Sequence, residues 1–470
     1  MLQLYSRIRT GSEAVRIGKA YKMFRIYGIL YQHKTLAASP QPAGCTVCST
    51  ERGYDMDNGI KKVGIGFATG RKQFQRVLRS YAYNWKESGL IDNQNVSLDL
   101  FVAYDLKYKN TKRSDYTQMS ADIARFIDDK FFIGIKEVEK VKADLTAQGV
   151  ASPEELSLVF GSGYAAQRNI ILYYAVKNQV DYLLFLDDDE YPMAATKNRD
   201  TVIWSGQHVL KTHLDNIGEA DITHGYHCGY ISPIPYLEFD ERMGEEDFRS
   251  FIKAISNDIV NWETIKSVMK NGGVSYASTE ILKQLEVLDV PEIKKAKFIS
   301  GSNLCLNLTE PDRIFPFYNP PGARGEDTFL STCLSDRIVR KVPCYAFHDG
   351  FASYSQLLSG TLPTRLKPVR CDSDKVVRRF HAACVGWIRY KPLLLYITDR
   401  ASYRAHIEDM KARLEKTIPH ICAYFGTRSF QSIMKELKKY DKNVETHYQG
   451  FLDTQRVWAD IIRSLQQERR

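Results

Sequence analysis

The stretch that most constrains this chain is VDYLLFLDDDEYP, residues 180–192. Tyr182, Leu183, Leu184, Phe185 and Leu186 form a short apolar run, of the length expected for a strand buried on both faces. The run ends at once in Asp187, Asp188, Asp189 and Glu190. Consecutive acids at the end of a buried strand are costly unless a cation or hydrogen-bond donors meet them. In an open α/β sheet, ligands bind at the carboxyl ends of the strands. A hard divalent cation takes oxygen ligands, keeps several waters and is often shared with substrate phosphates. The run therefore predicts a site for a metal–diphosphate. The plainer alternative is a solvated acidic turn after a strand.

The preceding segment, GSGYAAQRNIILYYAVKNQ, places Ala166, Ile170, Tyr173 and Tyr174 on one face at helical spacing. A short turn at 178–181 joins it to the strand, as in an αβ unit. Arg168 and Asn169 lie on this helix beside the acidic strand end. AAQRNIILYYAVKNQVDYLLFLDDDE resembles the nucleotide-sugar core of GT-A glycosyltransferases, whose helix carries an Arg-Asn pair and whose next strand ends in Asp-X-Asp. It is most similar to family-2-like enzymes and to glucuronyltransferases with a DDD motif. The resemblance implies an α/β fold of the GT-A (Rossmann-like) type, a mixed, mostly parallel sheet flanked by helices. It also implies metal-dependent sugar transfer from a nucleotide-diphosphate sugar to an acceptor hydroxyl, with Mn²⁺ or Mg²⁺ as cofactor. Asp189 is then the best direct metal ligand, and Asp187 contacts ribose or a metal-bound water, with Asp188 flanking. Arg168 and Asn169 stand near the nucleotide.

Lys61 opens the main domain, expected over 60–370. KKVGIGFATG reads as strand then loop, with Val63, Ile65 and Phe67 alternating. The helix RKQFQRVLRSYAYNW puts Phe74, Val77, Leu78, Tyr81 and Trp85 on one face, and VSLDLFVAYD is the next strand. By resemblance, the loop after the first strand (Ala68, Thr69, Gly70, Arg71) contacts base and ribose, and Asp105 reads the base. No GxGxxG occurs here, against a dinucleotide Rossmann site. Residues 106–160 read as helical and polar, with Ile123, Phe126 and Ile127 on one face. Residues 196–297, with strand-like ADITHGYHCGYISPIPYL and helix-like EDFRSFIKAISNDIVNWETIKSVMKNGG, read as a long insertion on the acceptor side, since long links on a rigid scaffold commonly carry specificity. His224 and His227 within it are a candidate metal pair or structural histidines.

AKFISGSNLCLNL, residues 296–308, reads as a strand with a Gly-Ser pair inside. In GT-A enzymes the backbone approaches the donor sugar here, which places Gly301 in the donor site. PPGARG is a loop by composition, and Glu326 and Asp327 then open a helix. Acids at a helix N-terminus are favoured by its dipole, which is a sufficient structural reason for either alone. The pair also resembles the Glu-Asp motif of inverting family-2-like enzymes. There the Asp is the general base that takes the proton of the attacking hydroxyl. Asp327 is the expected base, and Glu326 binds acceptor or donor hydroxyls. KVPCYAFHDGF reads as a further strand ending at His348. In several GT-A families a histidine in this place completes the metal shell with the last Asp of the motif; a structural His is the alternative. The segment 352–370 carries Arg365 and Lys367 in a Ser/Gly/Pro setting. It suits a lid over a diphosphate, or a solvated basic loop.

A chain of 470 residues predicts two or three domains. Residues 371–470 read as helical, with apolar stripes that can cover the sheet, build a homo-oligomer or face a membrane. Residues 1–59 read as a basic amphipathic helix, with Ile17, Tyr21, Phe24 and Tyr27 along one side, and a linker. This helix can lie on an anionic membrane or pack on a partner. Cys45 and Cys48 in the linker form a lone CxxC, a weak zinc pattern. Net charge is +9, which suits an anionic substrate or membrane surface; no dense basic patch or module points to nucleic acid. Nine scattered cysteines and no stretch of 18 apolar residues predict a reduced, cytoplasmic protein, at most peripheral at the inner face of a membrane. The expected acceptor is a glycan of a surface polysaccharide or a glycolipid. Two rival functions remain: a sugar nucleotidyltransferase, for which FATGRKQF is a poor version of the usual loop, and a non-catalytic sugar-binding or scaffold protein on the same core.

Overall fold

The computed structural model describes residues 60–107, 110–231, 233–256 and 262–468. The amphipathic segment, linker and Cys45–Cys48 pair expected within 1–59 lie outside the described residues. Strand β1 (Lys61–Thr69), helix α1 (Phe74–Glu87) and strand β2 (Val96–Tyr104) form the expected strand–helix–strand unit, with β1 and β2 parallel. Alternation along β1 sorts its side chains between two layers. Val63, Ile65 and Phe67 pack with Phe74, Val77, Leu78, Tyr81 and Trp85 of α1. The opposite face carries Gly64 and Gly66. A Cβ at Gly64 would stand 3.0 Å from both Leu183 and Phe101, and one at Gly66 3.0 Å from Ile171. Their missing side chains let large neighbours and a helix close over this face.

The chain next forms β3 (Lys130–Ile133), which pairs in parallel with β2. The sequence of 106–160 reads as helical, so β3 is a correction: KFFI is too short to show a period, and helices surround it. Helices α2 (Ile135–Ala147), α3 (Pro153–Phe160) and α4 (Tyr164–Lys177) lead back to β4 (Tyr182–Phe185). Ser152 and Glu155 reciprocally cap α3. Helix α4 is buried on nearly every side, from Ala165 and Arg168 to Ala175 and Val176. Its apolar residues therefore encircle it and are not confined to the single face expected.

After β4 come β5 (Glu190–Tyr191) and a hairpin of β6 (Met193–Asn198) and β7 (Thr201–Gly206). Helix α5 (Val209–Ile217), β8 (Ile222–Gly229), α6 (Glu245–Ile255), α7 (Trp262–Lys270), β9 (Leu288–Asp289) and β10 (Leu304–Asn307) follow. Then come α8 (Glu326–Ser331), β11 (Val339–His348) and four long helices: α9 (Asp374–Thr398), α10 (Tyr403–Phe425), α11 (Ser432–Lys442) and α12 (Val444–Gln467). The main sheet runs β3-β2-β1-β4-β10-β8-β11-β5, with β9 on β11. Strand β10 is antiparallel to β4 and β8, while β11 is parallel to β8. This is the mixed, mostly parallel sheet flanked by helices, with a helical C-terminal region, that the sequence predicts. One difference matters. Residues 196–297, expected as an insertion, contain β8, which lies between β10 and β11 in the sheet interior. The strand-like reading of ITHGYHCG is right, but the strand belongs to the core sheet and its residues are mostly buried.

Helices α9, α10 and α11 share a second apolar core with α6 and α7 through Phe248, Phe251, Ile265 and Met269, and touch the sheet side through Phe329 of α8. Helix α12 packs back on the layer of α3 and α4 through Val457 and Trp458. No helix of the described residues is long and apolar enough to cross a membrane.

Candidate active-site crevice

The chain moves from β1 outward to β2 and β3, then returns to β4 on the other side of β1. Such a reversal of strand order opens a crevice at the carboxyl ends of the strands. Four things converge on it: the end of β1, the acids after β4, the bend before antiparallel β10, and the end of β11.

Asp188, Asp189 and Glu190 are buried, Asp187 lies at the partly exposed edge, and each acid has its own partner. Asp188 is 7% exposed and accepts from the Thr69 hydroxyl at 2.5 Å. Arg71 reaches Asp189 Oδ2 with Nη1 at 2.5 Å and Asp188 Oδ1 with Nε at 3.3 Å. The expected contact loop after β1 thus meets the acidic motif through the side chains of Thr69 and Arg71. Ala68 is buried beneath them and Gly70 lies between them at the crevice. Asp189 Oδ2 also stands 3.4 Å from His348 Nε2, so the last Asp of the motif meets the histidine at the end of β11. His348 Nδ1 lies 2.8 Å from the Tyr230 carbonyl. A carbonyl only accepts, so Nδ1 carries a proton and Nε2 faces the carboxylate.

Burial alone would raise Asp189, but His348 and Arg71 outweigh it and hold the carboxyl well below the usual range. In the same pair, burial opposes charge on His348, yet Asp189, Glu190 and Asp187 push the imidazole up to about 9. Asp187 is pushed up to about 7 by burial and by Glu190, Asp189 and Asp188, against the pull of Arg168. Asp188 rises to about 6 by burial and the Asp189 charge, with Arg71 opposing.

Arg168 projects from α4 into the crevice and is 4% exposed. Its guanidinium lies over Phe185 and Phe317, at 5.1 and 5.6 Å from the ring centroids. Nη2 is 3.3 Å from Asp187 Oδ1, and Nε is 3.6 Å from Glu326 Oε1. Arg168 therefore joins the acidic motif after β4 to the Glu-Asp pair that opens α8. Asp327 accepts from the Thr328 amide at 2.8 Å. Burial and the Glu326 charge push its carboxyl up to about 6, against Thr328 N–H and Arg168.

Gly301 sits where these groups meet. A Cβ there would stand 3.4 Å from Asp327 Oδ2 and 3.5 Å from Arg168 Nη2. The strand expected over 296–308 is only Leu304–Asn307, because the chain bends at 301–303, with Asn303 at φ 51°. The bend, not a strand, brings Gly301 against the carboxylate.

Other expected residues stand apart. Asn169 is 1% exposed and fully used within the fold: its amide donates to Val159 and Phe317 carbonyls at 3.0 and 2.9 Å and accepts from Phe317 N–H at 2.7 Å. It fastens α4 to neighbouring segments and is not free for a nucleotide. Asp105 is exposed at the end of β2, accepting from the Lys107 amide at 2.8 Å, with its own amide bonded to the Thr69 carbonyl at 3.0 Å. Arg365 and Lys367 are exposed and make no ion pair among the described residues. Their segment is strapped down, not loose. Val202 N–H and Trp204 Nε1–H each donate at 2.8 Å to the carbonyls of Thr364 and Pro363, and the Tyr230 hydroxyl donates to Lys367 O at 2.7 Å. Of the two histidines of β8, His224 is buried with both ring nitrogens unpartnered among the described residues, and His227 joins the crevice.

The sequence singles out His227 only as half of a metal pair with His224; its partner in the structure is Glu190. His227 Nε2 lies 3.2 Å from Glu190 Oε1 and 3.3 Å from Ser302 Oγ. Burial would raise Glu190, but His227 and His348 outweigh it and lower its carboxyl. Glu190 is the fourth acid of the run and is register-paired with His348 across β5 and β11. The signal was a histidine near the carboxyl end of a strand, legible only once β8 is known to be central.

Among the described residues, no group of three or more His, Cys, Asp or Glu stands as a ready metal cage. The donor set nonetheless fits a hard divalent ion. Asp189 Oδ2 and His348 Nε2 are 3.4 Å apart, close to the ~3.0 Å between adjacent ligands of an octahedral ion with bonds of about 2.1 Å. The Tyr230 carbonyl orients the imidazole from behind, as an outer-shell partner does. Two protein ligands leave positions for water and phosphate oxygens, the usual habit of Mg²⁺.

Fold and crevice define a mixed α/β protein with a carboxylate-lined cleft at the reversal of its strand order. No protein-family model matches the chain, and no curated protein matches it. Among solved structures, mouse xyloside xylosyltransferase 1 in its apo form is similar at 13% identity and a TM-score of 0.19, over 41% of this chain. The chain spans 58% of that structure's length. A likeness of this strength bears on neither fold nor function, which rest on the crevice itself.

Proposed function

We propose that the chain is a GT-A-type glycosyltransferase, moving a sugar from a nucleotide-diphosphate donor to a hydroxyl of a glycan or glycolipid, with inversion. The observation that carries this reading is the convergence of two carboxylate motifs, 187–189 and 326–327, on one crevice, joined by Arg168. One motif suits a cation and diphosphate; the other suits proton removal.

Asp189 and His348, its Nε2 proton released to solvent, would hold Mn²⁺ or Mg²⁺, which when bound neutralises the diphosphate as its charge develops. Asp187, at the exposed edge of the motif, faces ribose or a metal-bound water. Asp188 is committed to Thr69 and Arg71 and shapes the β1 loop that borders the nucleotide. Asp327 takes the proton of the acceptor hydroxyl as that oxygen bonds to the anomeric carbon and the bond to the diphosphate breaks. A single displacement of this kind inverts the anomeric centre. A carboxyl raised to about 6 is mostly ionised at neutral pH, yet more basic than an ordinary aspartate, as a base requires. Arg168 holds Glu326 beside it, on the side where acceptor or donor hydroxyls would bind.

The test is thermal stability against UDP-, GDP- and CMP-sugars with and without Mn²⁺, in the parent and in Asp189→Asn. A donor-specific, metal-dependent shift, lost in the variant, is expected. At a hundred times the dissociation constant it corresponds to about 2.7 kcal/mol. A folded parent that shifts with no nucleotide sugar refutes the nucleotide-donor reading.

A further inference from the structure

Arg71 holds the place a cation would take. Its Nη1 sits 2.5 Å from Asp189 Oδ2, the same oxygen that faces His348 Nε2 at 3.4 Å. Its Nε adds a contact with Asp188 at 3.3 Å, and Asp188 is itself fixed by the Thr69 hydroxyl at 2.5 Å. The side chain is 23% exposed, so it lies at the mouth of the crevice and can leave toward solvent. A guanidinium does not deprotonate in a protein, so it must move as an intact charge. It cannot stay on Asp189 Oδ2 while a divalent ion bonds the same oxygen.

The local charges make the same point. Asp187, Asp188, Asp189 and Glu190 face Arg71, Arg168, His227 and His348. Arg71 already supplies positive charge to Asp188 and Asp189, so a divalent ion entering alone adds to that charge without relieving it. An ion arriving with a diphosphate does not, and the phosphate oxygens offer the displaced guanidinium a planar, two-point partner.

We propose that Arg71 is the resident counter-cation of the acidic motif and is exchanged for the divalent ion when a nucleoside diphosphate binds. Its guanidinium passes from Asp188 and Asp189 to a phosphate oxygen. The inference rests on the metal–diphosphate reading of the crevice. It makes metal and nucleotide binding mutually reinforcing, because each is weakened while Arg71 holds the motif.

The experiment is Mn²⁺ binding followed by electron paramagnetic resonance, without nucleotide and then with UDP or GDP. Parent, Arg71→Gln and Arg71→Lys are compared, with Asp189→Asn as the blank and circular dichroism as the folding control. Without nucleotide, Arg71→Gln is expected to bind Mn²⁺ about tenfold more tightly than the parent, equivalent to about 1.4 kcal/mol. Arg71→Lys, which keeps charge but loses the second contact, falls between them and also serves if the glutamine variant is misfolded. Nucleotide then tightens Mn²⁺ binding about tenfold in the parent and little in Arg71→Gln. Equal Mn²⁺ affinity of parent and variants without nucleotide overturns the exchange. So does tighter binding with undiminished nucleotide coupling, which is mere removal of a charge. Absence of Mn²⁺ binding in every folded protein, with or without nucleotide, overturns the metal site and the exchange together.

Discussion

Arg168→Met tests how the two halves of the crevice are held together. The substitution keeps most of the volume and removes a charge that is 4% exposed. Removing one partner of a buried ion pair costs about 3–5 kcal/mol. Here the Asp187 side chain is 37% exposed and the Glu326 contact is 3.6 Å, so solvent screens part of that. About 2 kcal/mol is the working figure for lost ion pairing at pH 8. Loss of the cation over Phe185 and Phe317 adds about 1 kcal/mol, partly restored by the thioether against the rings. The expected total is about 2–3 kcal/mol at pH 8.

The loss must depend on pH, and its sign follows from the neighbouring acids. Asp187 and Asp327 are raised to about 7 and about 6 in the fold, against about 3.9 in an unfolded chain. Arg168 pulls both down, so without it both rise further. An acid raised on folding binds more protons in the native state between its two pKa values, so stability falls as pH rises through that window. The penalty of the substitution is therefore smaller at pH 5.5, about 1 kcal/mol, where the freed acids take up protons. Urea unfolding of parent and variant at both pH values measures it. A penalty equal at the two, or below about 0.5 kcal/mol at pH 8, refutes the claim that Arg168 neutralises both motifs.

Substitutions at three other positions separate roles within the crevice. Once a donor and acceptor are in hand, the parent's turnover should rise tenfold per pH unit below about 6, the value to which burial and Glu326 push Asp327. Asp327→Asn should then lower turnover by about 10²–10⁴-fold; a pH profile flat through that region reassigns the base. Asn169→Leu strands the Val159 and Phe317 carbonyls and the Phe317 amide, at about 3 kcal/mol in urea unfolding. Donor affinity should be unchanged in it, and a selective loss of affinity would return Asn169 to the nucleotide site. Gly301→Ala places its Cβ 3.4 Å from Asp327 Oδ2, an ordinary contact, and should be tolerated within about 1 kcal/mol. Gly301→Val should keep the fold but displace Asp327 and Arg168, lowering turnover about 100-fold. Equal turnover in the alanine and valine variants would remove Gly301 from the site.

What the sequence made legible was local and directional. An apolar run ending in acids places a charged site at a strand end, because burial and ionisation cannot otherwise coexist there. The same logic reached His348, since β11 is long and apolar up to it. Asn169 misled because an amide beside an arginine on a helix looks available until its partners are known, and two of them, the Phe317 amide and carbonyl, are remote in sequence. His227 was visible as a histidine in a strand-like segment, but its partner was not, since the place of β8 between β10 and β11 depends on residues remote in sequence. Arg71 was visible as a cation after β1, but its direction was not, since side-chain pairing across 118 positions leaves no local pattern.

The antiparallel strand explains why the two motifs meet at all. Were β10 parallel, its leading bend would lie at the far end of the sheet. Instead Leu304 is register-paired with Phe185 and with His224, so residues 301–303 emerge at the carboxyl end of β4 and run beside Gly225 and His227 of β8. Gly301 then reaches Asp327, and Ser302 reaches His227, from the same turn. Helix α4 supplies the other brace: Asn169 pins the helix to the 317 segment, and the adjacent Arg168 spans Asp187 and Glu326. One residue of that pair sets position and the next sets charge, so loosening Asn169 should cost stability partly through the ion pairs of Arg168. Asn169→Leu and Arg168→Met are accordingly expected to be non-additive in a double-mutant cycle, by about 1 kcal/mol or more.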